Sequence, residues 1–96
     1  MAVTTRAWDA SEHLETPSAI AAYLEAAFED GNPALISAAI GDVARARGMT
    51  ELAREAGLSR ESLYRALSED GNPSFSTVLK ILHTLGIGLQ AKPLAI

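Results

Sequence analysis

The chain has no cysteine, and its aromatic residues are one tryptophan, two tyrosines and two phenylalanines. Without cysteine it can form neither a disulfide framework nor a thiolate site. No apolar run approaches the roughly 18 residues of a membrane-spanning helix, and the first residues lack the apolar stretch of a secretory signal. These absences favour a cytoplasmic protein, and 96 residues fit one small domain with an aliphatic core.

Groups that could perform catalysis are also scarce. His13 and His83 are the two histidines, and each stands apart from any nucleophile or second histidine in the sequence. No Gly-rich phosphate loop and no nucleophile with a neighbouring base is present. We therefore expect a binding protein rather than an enzyme, with no cofactor and no metal.

Basic residues are few, 8 against 12 acidic ones, and the net charge of −4 argues at first against DNA binding. The charge is unevenly distributed, however. Residues 1–44 contain one basic and seven acidic residues, whereas residues 45–96 contain seven basic and five acidic ones. Phosphates respond to local charge within a Debye length of about 10 Å, so the second half can bind DNA. So few cations favour a dimer that binds two half-sites.

Residues 49–68, MTELAREAGLSRESLYRALS, have the pattern of two short helices joined by a tight turn. Thr50 is the expected N-cap of the first helix, Gly57 its left-handed C-cap, and Ser59 the N-cap of the second. Apolar residues at helical spacing predict two inward faces that cross closely: Leu52, Ala53, Ala56, Leu63, Ala66 and Leu67. The pattern predicts a helix-turn-helix, whose second helix enters the major groove; the alternative is an ordinary helical hairpin within a core.

If the apolar residues of the second motif helix face inward, its polar residues face outward. Arg60, Glu61, Tyr64 and Arg65 are then wholly or partly exposed, with two guanidinium groups among them. Exposed guanidinium groups are suited to hydrogen-bond with base edges, and a good two-bond contact to guanine is worth roughly 1–3 kcal/mol of discrimination. Glu61 fits less well: it would either accept a hydrogen bond from a cytosine amino group or repel phosphate.

Three more helices are predicted, two before the motif and one after it. They cover residues 17–29, with Thr16-Pro17 as the start, residues 33–47, and residues 74–85. Gly41 in the second helix is expected to let another helix approach closely. The expected inward residues are Ile20, Tyr23, Leu24, Ala27 and Phe28, then Leu35, Ile36, Ala39, Ile40 and Val43, then Phe75, Val78, Leu79, Leu82 and Leu85.

The pentapeptide EDGNP occurs at residues 29–33 and again at 69–73. Both copies predict a helix that stops at glycine, followed by a helix that starts near Asn-Pro. The flanking sequences do not align well, so we interpret the two copies as the same turn chemistry used twice rather than as a repeat.

The two ends of the chain differ from the helical part. Residues 1–15 are expected to form an arm, either loosely packed or anchored to a partner through Trp8, and residues 16–86 the helical domain. Residues 87–96 alternate apolar and polar side chains, which predicts a short strand or tail. A single strand needs a neighbour, either residues 3–8 or the same strand of a second copy, which would give a strand-paired dimer.

The whole pattern resembles the phage-repressor and Cro class of all-α, five-helix, helix-turn-helix domains. It resembles one branch more closely, the addiction-module antidote proteins, antitoxins similar to the higA type. The resemblance is carried by GLSRESLYRALSEDGNPSFSTVLKILHTLGI, residues 57–87, and by a TP start followed by AAYLEAAFEDGNPALISAAIGDVARARGM, residues 21–49.

The resemblance implies a small antitoxin encoded beside a toxin of RelE/ParE-like fold, often a basic ribonuclease, which the antitoxin binds and blocks. It also implies that the antitoxin, as a homodimer, represses its own operon and that the toxin tunes this repression. Two alternatives stay open: a stand-alone transcriptional regulator, and a helix-turn-helix scaffold used only for protein–protein interaction.

The resemblance further implies which residues contact operator DNA. Those on the second motif helix would face the major groove, and those at helix N-termini or in the following loop would contact phosphates. The expected DNA-binding residues are Thr50, Ser59, Arg60, Glu61, Ser62, Tyr64, Arg65, Asn72 and Ser74.

Overall fold

The computed structural model describes residues 14–68 and 70–95, which form five α-helices and no strand. The helices are α1 (Pro17–Asp30), α2 (Pro33–Arg47), α3 (Met49–Ala56), α4 (Arg60–Ala66) and α5 (Phe75–Thr84). The predicted all-α class and the five helices are confirmed, and α2 has the predicted bounds. None of these helices is long and apolar enough to cross a membrane.

Side-chain oxygens start most of the helices where the sequence predicts. Thr16 Oγ1 accepts a hydrogen bond from the Ala19 N–H at 3.1 Å, and Asn32 Oδ1 accepts one from the Ala34 N–H at 2.8 Å. Each oxygen satisfies an amide that has no partner within its own helix. Proline follows both caps and presets the first helical φ.

Two expected helix starts are wrong. Gly48 is both the C-cap of α2 and the N-cap of α3, so Thr50 lies inside the first turn of α3 and caps nothing. The second EDGNP copy does not repeat the turn of the first, because α4 already ends at Ala66 and no helix of the described chain starts near Asn72. The helix predicted over residues 74–85 is confirmed within one residue at each end. Ser74 Oγ accepts a hydrogen bond from the Thr77 N–H at 3.2 Å and is the actual cap.

A single aliphatic core joins the helices. In it α1 packs on α2, α2 on α3, and α3 on both α4 and α5. Its largest fully buried side chains are Leu24, Val43, Leu52, Leu63, Ile81 and Leu82. Burying a side chain of this size stabilises the fold by roughly 1.5–3 kcal/mol. Leu52 of α3 and Leu63 of α4 are both buried in this core, so their burial holds the two helices together.

Three core expectations are wrong. Leu35 is 45% exposed and Phe75 is 68% exposed, because each lies in the first turn of its helix, beyond the reach of the neighbouring helix. Gly41 is buried, but a Cβ there would meet first the guanidinium of Arg45, at 3.3 Å, rather than another helix. The periodic pattern had also left out Ile81, which is 1% exposed.

A chain of three hydrogen-bonded side chains links α1 to α2. The Tyr23 hydroxyl donates to Asp42 Oδ2 at 2.5 Å, and Arg45 Nη2 donates to Asp42 Oδ1 at 3.0 Å. Burial, and then the hydrogen bond and negative charge of Asp42, raise the pKa of Tyr23 to about 12. The contact therefore fixes the acidic first helix against the second.

The C-terminal tail, residues 87–95, returns from α5 to α1. Ile87 is buried in the core, and Lys92 forms an ion pair with Glu29 of α1. The tail forms no strand within the described residues, so the predicted strand is not confirmed. A strand needs a pairing neighbour, and the expected one, residues 3–8, lies outside the described residues together with Trp8 and His13. Pairing with a second copy stays a prediction.

Candidate nucleic-acid interface

The turn between α3 and α4 is short and locally determined. Gly57 adopts the left-handed conformation at φ 74° and caps α3, as predicted. The Leu58 N–H donates to the Ala53 carbonyl oxygen at 2.9 Å, and its half-buried side chain packs against the core. Ser59 then starts α4, because its Oγ accepts from the Ser62 N–H at 2.9 Å. The turn and the buried Leu63 together orient one face of α4 to solvent.

Four side chains form this outer face of α4, which we call the α4 face: Arg60, Glu61, Tyr64 and Arg65. All four are exposed and line one open groove. The arrangement matches the outward orientation expected from the inward leucine. It presents two cations, one aromatic ring and one carboxylate on a single helical surface.

Arg60 and Tyr64 contact each other within this face. The guanidinium carbon lies 5.4 Å from the ring centroid, and Arg60 Nη2 donates to the Tyr64 hydroxyl at 3.4 Å. A cation–π contact at an exposed site is worth about 0.5–1 kcal/mol, enough to bias the arginine toward one orientation. The i, i+4 spacing of the two residues is the sequence signal for this contact.

Glu61 lies in the first turn of α4. A carboxylate there interacts favourably with the positive end of the helix dipole. Its position is thus explained by helix stability alone, whether or not it contacts a base. The carboxylate of Glu61 lowers the positive potential of the α4 face. The face still carries two guanidinium groups and one carboxylate.

A second groove lies on the other side of α4, and Arg65 lines both grooves. Ser62 and Asn72 line the second one, together with Asp70 and Thr77. The structure therefore brings Asn72 of the loop close to α4, as a DNA-contacting loop would require. The carboxylate of Asp70 was missed by the sequence analysis.

Gly71 makes the close approach of this loop possible. A Cβ at this position would lie 2.5 Å from the carbonyl oxygens of both Arg65 and Ala66, far inside van der Waals contact. Only glycine fits there without a shift of the loop or of the C-terminal end of α4. The loop and the helix are therefore held as one surface.

Three of the expected DNA-binding residues line neither groove: Thr50, Ser59 and Ser74. The hydroxyls of two of them are engaged in caps. Ser59 Oγ donates to Ser62 Oγ at 2.8 Å, and Ser74 Oγ donates to Thr77 Oγ1 at 3.0 Å. Thr50 is exposed on α3. Contact of these residues with phosphate stays a prediction.

The ion pairs of the described residues separate the arginines into two groups. Arg45, Arg47 and Arg54 pair with Asp42, Glu55 and Glu51, whereas Arg60 and Arg65 belong to none of these pairs. The α4 face thus carries its cations unneutralised by the described ion pairs. No three His, Asp or Glu side chains among the described residues are arranged to hold a metal ion.

Comparison with known proteins gives a match over nearly the whole chain. A family model described as a probable addiction module antidote protein matches residues 4–93. A protein of Haemophilus influenzae (strain ATCC 51907 / DSM 11121 / KW20 / Rd), described as an uncharacterized protein, is 46% identical over 85 residues, 88% of each chain. No solved structure gives a significant match. The chain belongs to the family of probable addiction module antidote proteins.

Proposed function

We propose that this antidote neutralises a RelE/ParE-like toxin encoded beside it, and that it binds operator DNA as a cytoplasmic homodimer to repress its own operon. The family match over residues 4–93 supports the antidote function. The exposed cations of the α4 face support the DNA-binding function. The resemblance to helix-turn-helix antitoxins joins the two.

The dimensions of α4 suit the major groove. An α-helix with its side chains is about 10–12 Å across, which fits the roughly 12 Å width of the B-DNA major groove. The seven residues of α4 give it a length of about 10 Å at 1.5 Å per residue. Arg60 and Arg65 lie on the face turned away from α3, where nothing in the described chain blocks an approaching duplex. Ser62 and Asn72 line the adjoining groove and supply neutral donors for phosphates.

A dimer follows from the small number of cations. One α4 face presents two guanidinium groups, and the salt-dependent part of DNA affinity grows with the number of phosphates neutralised. Two copies on half-sites about 34 Å apart would double that number. We expect the operator to be an inverted repeat with this spacing.

DNA binding is tested by fluorescence anisotropy with the DNA upstream of the gene. In Arg60→Ala plus Arg65→Ala, loss of two base contacts of roughly 1–3 kcal/mol each predicts at least a 30-fold weaker affinity. The control Lys80→Ala plus Lys92→Ala removes the same charge outside α3 and α4, and should bind within a few-fold of the wild type. Equal weakening of both variants would mean that the α4 face does not read DNA.

Neutralisation is tested by inducing the adjacent gene in cells with and without the antidote. Growth arrest that the wild-type chain relieves, together with co-purification of the two proteins, is the expected result. The double arginine variant should still relieve arrest, because the α4 face is assigned to DNA and not to the toxin. Arrest that the wild-type chain does not relieve would contradict the antidote function.

A second candidate is a scaffold that keeps this fold for protein binding and has lost DNA binding. Glu61 on the α4 face and the net charge of −4 favour it. The anisotropy experiment separates the two, because the scaffold would bind no upstream DNA even at low salt. If inducing the adjacent gene does not arrest growth, the chain is a stand-alone regulator rather than an antidote.

A further inference from the structure

A groove lies between α1 and the C-terminal tail. Its lining residues are distant in sequence from those of the α4 face. Glu25, Phe28 and Glu29 of α1 form one wall, and Leu89, Lys92 and Leu94 of the tail form the other. Leu89 is 49% exposed and Leu94 is 78% exposed. Large apolar side chains gathered at a groove and left in contact with water are typical of a protein-binding surface.

Acidic residues outnumber basic ones at this groove, which is lined by Glu25 and Glu29 and by one cation, Lys92. Residues 14–44 contain five acidic residues and no lysine or arginine. Glu29 and Asp30 stand in the last turn of α1, which contains no basic residue of its own; Lys92 of the tail pairs with Glu29. The negative end of the helix dipole adds to the charge of Glu29 and Asp30. The groove therefore favours a cationic ligand and disfavours nucleic acid.

The structure also shows that a groove carboxylate accepts an ammonium group. Lys92 donates to Glu29, and this hydrogen bond is the main cause that raises the pKa of Lys92. Both side chains are more than half exposed. Such a pair contributes little stability, so a lysine or arginine of a partner can replace or join Lys92 there.

We propose that the groove between α1 and the tail is the surface that binds the toxin, through a cationic amphipathic segment of that protein. The apolar side of the segment would pack on Phe28, Leu89 and Leu94, and its lysine or arginine side chains would pair with Glu25 and Glu29. This assignment deepens the proposed antidote function and depends on it.

Two other occupants fit the observations less well. A second copy of the chain would bring the same acidic groove to the contact, and a symmetric interface would place Glu25 and Glu29 near their own equivalents. DNA would bring phosphates to carboxylates. The groove also shares no lining residue with the α4 face, so one molecule can hold a protein partner and DNA together.

The test measures binding of the purified product of the adjacent gene by titration calorimetry. Glu25→Lys plus Glu29→Lys places like charges against the cationic segment, and we expect at least a 30-fold weaker affinity. Glu51→Lys plus Glu55→Lys makes the same charge change on α3, and we expect it to bind within about threefold of the wild type. Leu89→Ser removes an apolar contact from the tail wall, and about a fivefold or larger loss is expected.

The outcomes separate this surface from the function on which it depends. No binding by the wild-type chain would overturn the antidote function and this assignment with it. Wild-type binding that both charge-reversal pairs leave unchanged, or weaken equally, would overturn the surface alone. Sedimentation of each variant without partner is the remaining check. If groove reversal changes the self-association of the chain instead of partner binding, the groove is a contact between copies and the assignment fails.

Discussion

Replacing Tyr23 with phenylalanine should destabilise the protein through the loss of one hydrogen bond between α1 and α2. The Tyr23 hydroxyl lies 2.5 Å from Asp42 Oδ2, and a hydrogen bond to a charged group contributes about 1.5–3 kcal/mol. Asp42 keeps its contact with Arg45 at 3.0 Å and its side chain is 37% exposed. These two facts reduce the expected loss to about 1–2 kcal/mol.

The same bond predicts how the loss depends on pH. The pKa of Tyr23 is raised to about 12 in the folded chain from 10.0, so the folded state favours the protonated phenol. Its contribution is fully present below pH 10 and decreases as the pH rises toward 12. After allowance for solvent screening, the gap between wild type and Tyr23→Phe should narrow by about 1 kcal/mol from pH 8 to pH 11.

Urea unfolding followed by circular dichroism at both pH values measures this gap. The control is Tyr64→Phe. This tyrosine is exposed on α4, and its hydroxyl makes a long hydrogen bond to Arg60, at 3.4 Å, which should contribute little stability. Its unfolding free energy should stay within about 0.5 kcal/mol of the wild type. Equal effects of the two substitutions, or a Tyr23 gap that widens with pH, would refute the role given to the bond with Asp42.

Three other substitutions test the packing around α4, all by urea unfolding. Leu63→Ala removes a side chain with no exposed surface and should cost about 2–5 kcal/mol; a cost below 1 kcal/mol would mean that α4 is not fixed by the core. Gly57→Ala forces a left-handed φ of 74° on alanine and should cost about 1–2 kcal/mol. Gly71→Ala meets two carbonyl oxygens at 2.5 Å and should cost more than Gly57→Ala. Gly88→Ala is the control for both glycines, since nothing lies within 4 Å of its Cβ position, and a similar loss there would contradict both assignments.

Helix ends could be predicted where a capping side chain and the next residue act together. Thr16-Pro17 and Asn32-Pro33 begin α1 and α2 because the oxygen satisfies an amide and the proline presets φ. Thr50 looked equally suitable but caps nothing, because Gly48 had already started α3. A cap can be recognised locally, but the sequence does not show when the preceding element makes it unnecessary.

Burial was predictable in the middle of helices and not at their ends. Periodicity gives the direction of a side chain, which is why Leu24, Leu63 and Leu82 are buried as expected. Periodicity does not show how far along the helix a neighbouring helix packs against that face. Leu35 and Phe75 therefore have the correct spacing and yet are exposed, by 45% and 68%.

The sequence predicted which face of α4 is exposed, but it did not predict the loop that packs against α4 or the grooves. The inward position of Leu63 follows from spacing, and it places Arg60 and Arg65 outside. The loop that crosses the end of α4 depends on the close approach of Gly71, a tertiary contact with no periodic signal. The groove between α1 and the tail joins segments that are distant in sequence, so no local pattern could indicate it.

We propose that one molecule binds a toxin through its acidic first helix and DNA through α4. The decisive experiment is native mass spectrometry of the chain, the adjacent gene product and the upstream DNA, mixed together. We expect a species that contains all three components, because the two surfaces share no lining residue. Separate protein–protein and protein–DNA complexes that never combine would contradict it, since the toxin would then occupy or block the α4 face.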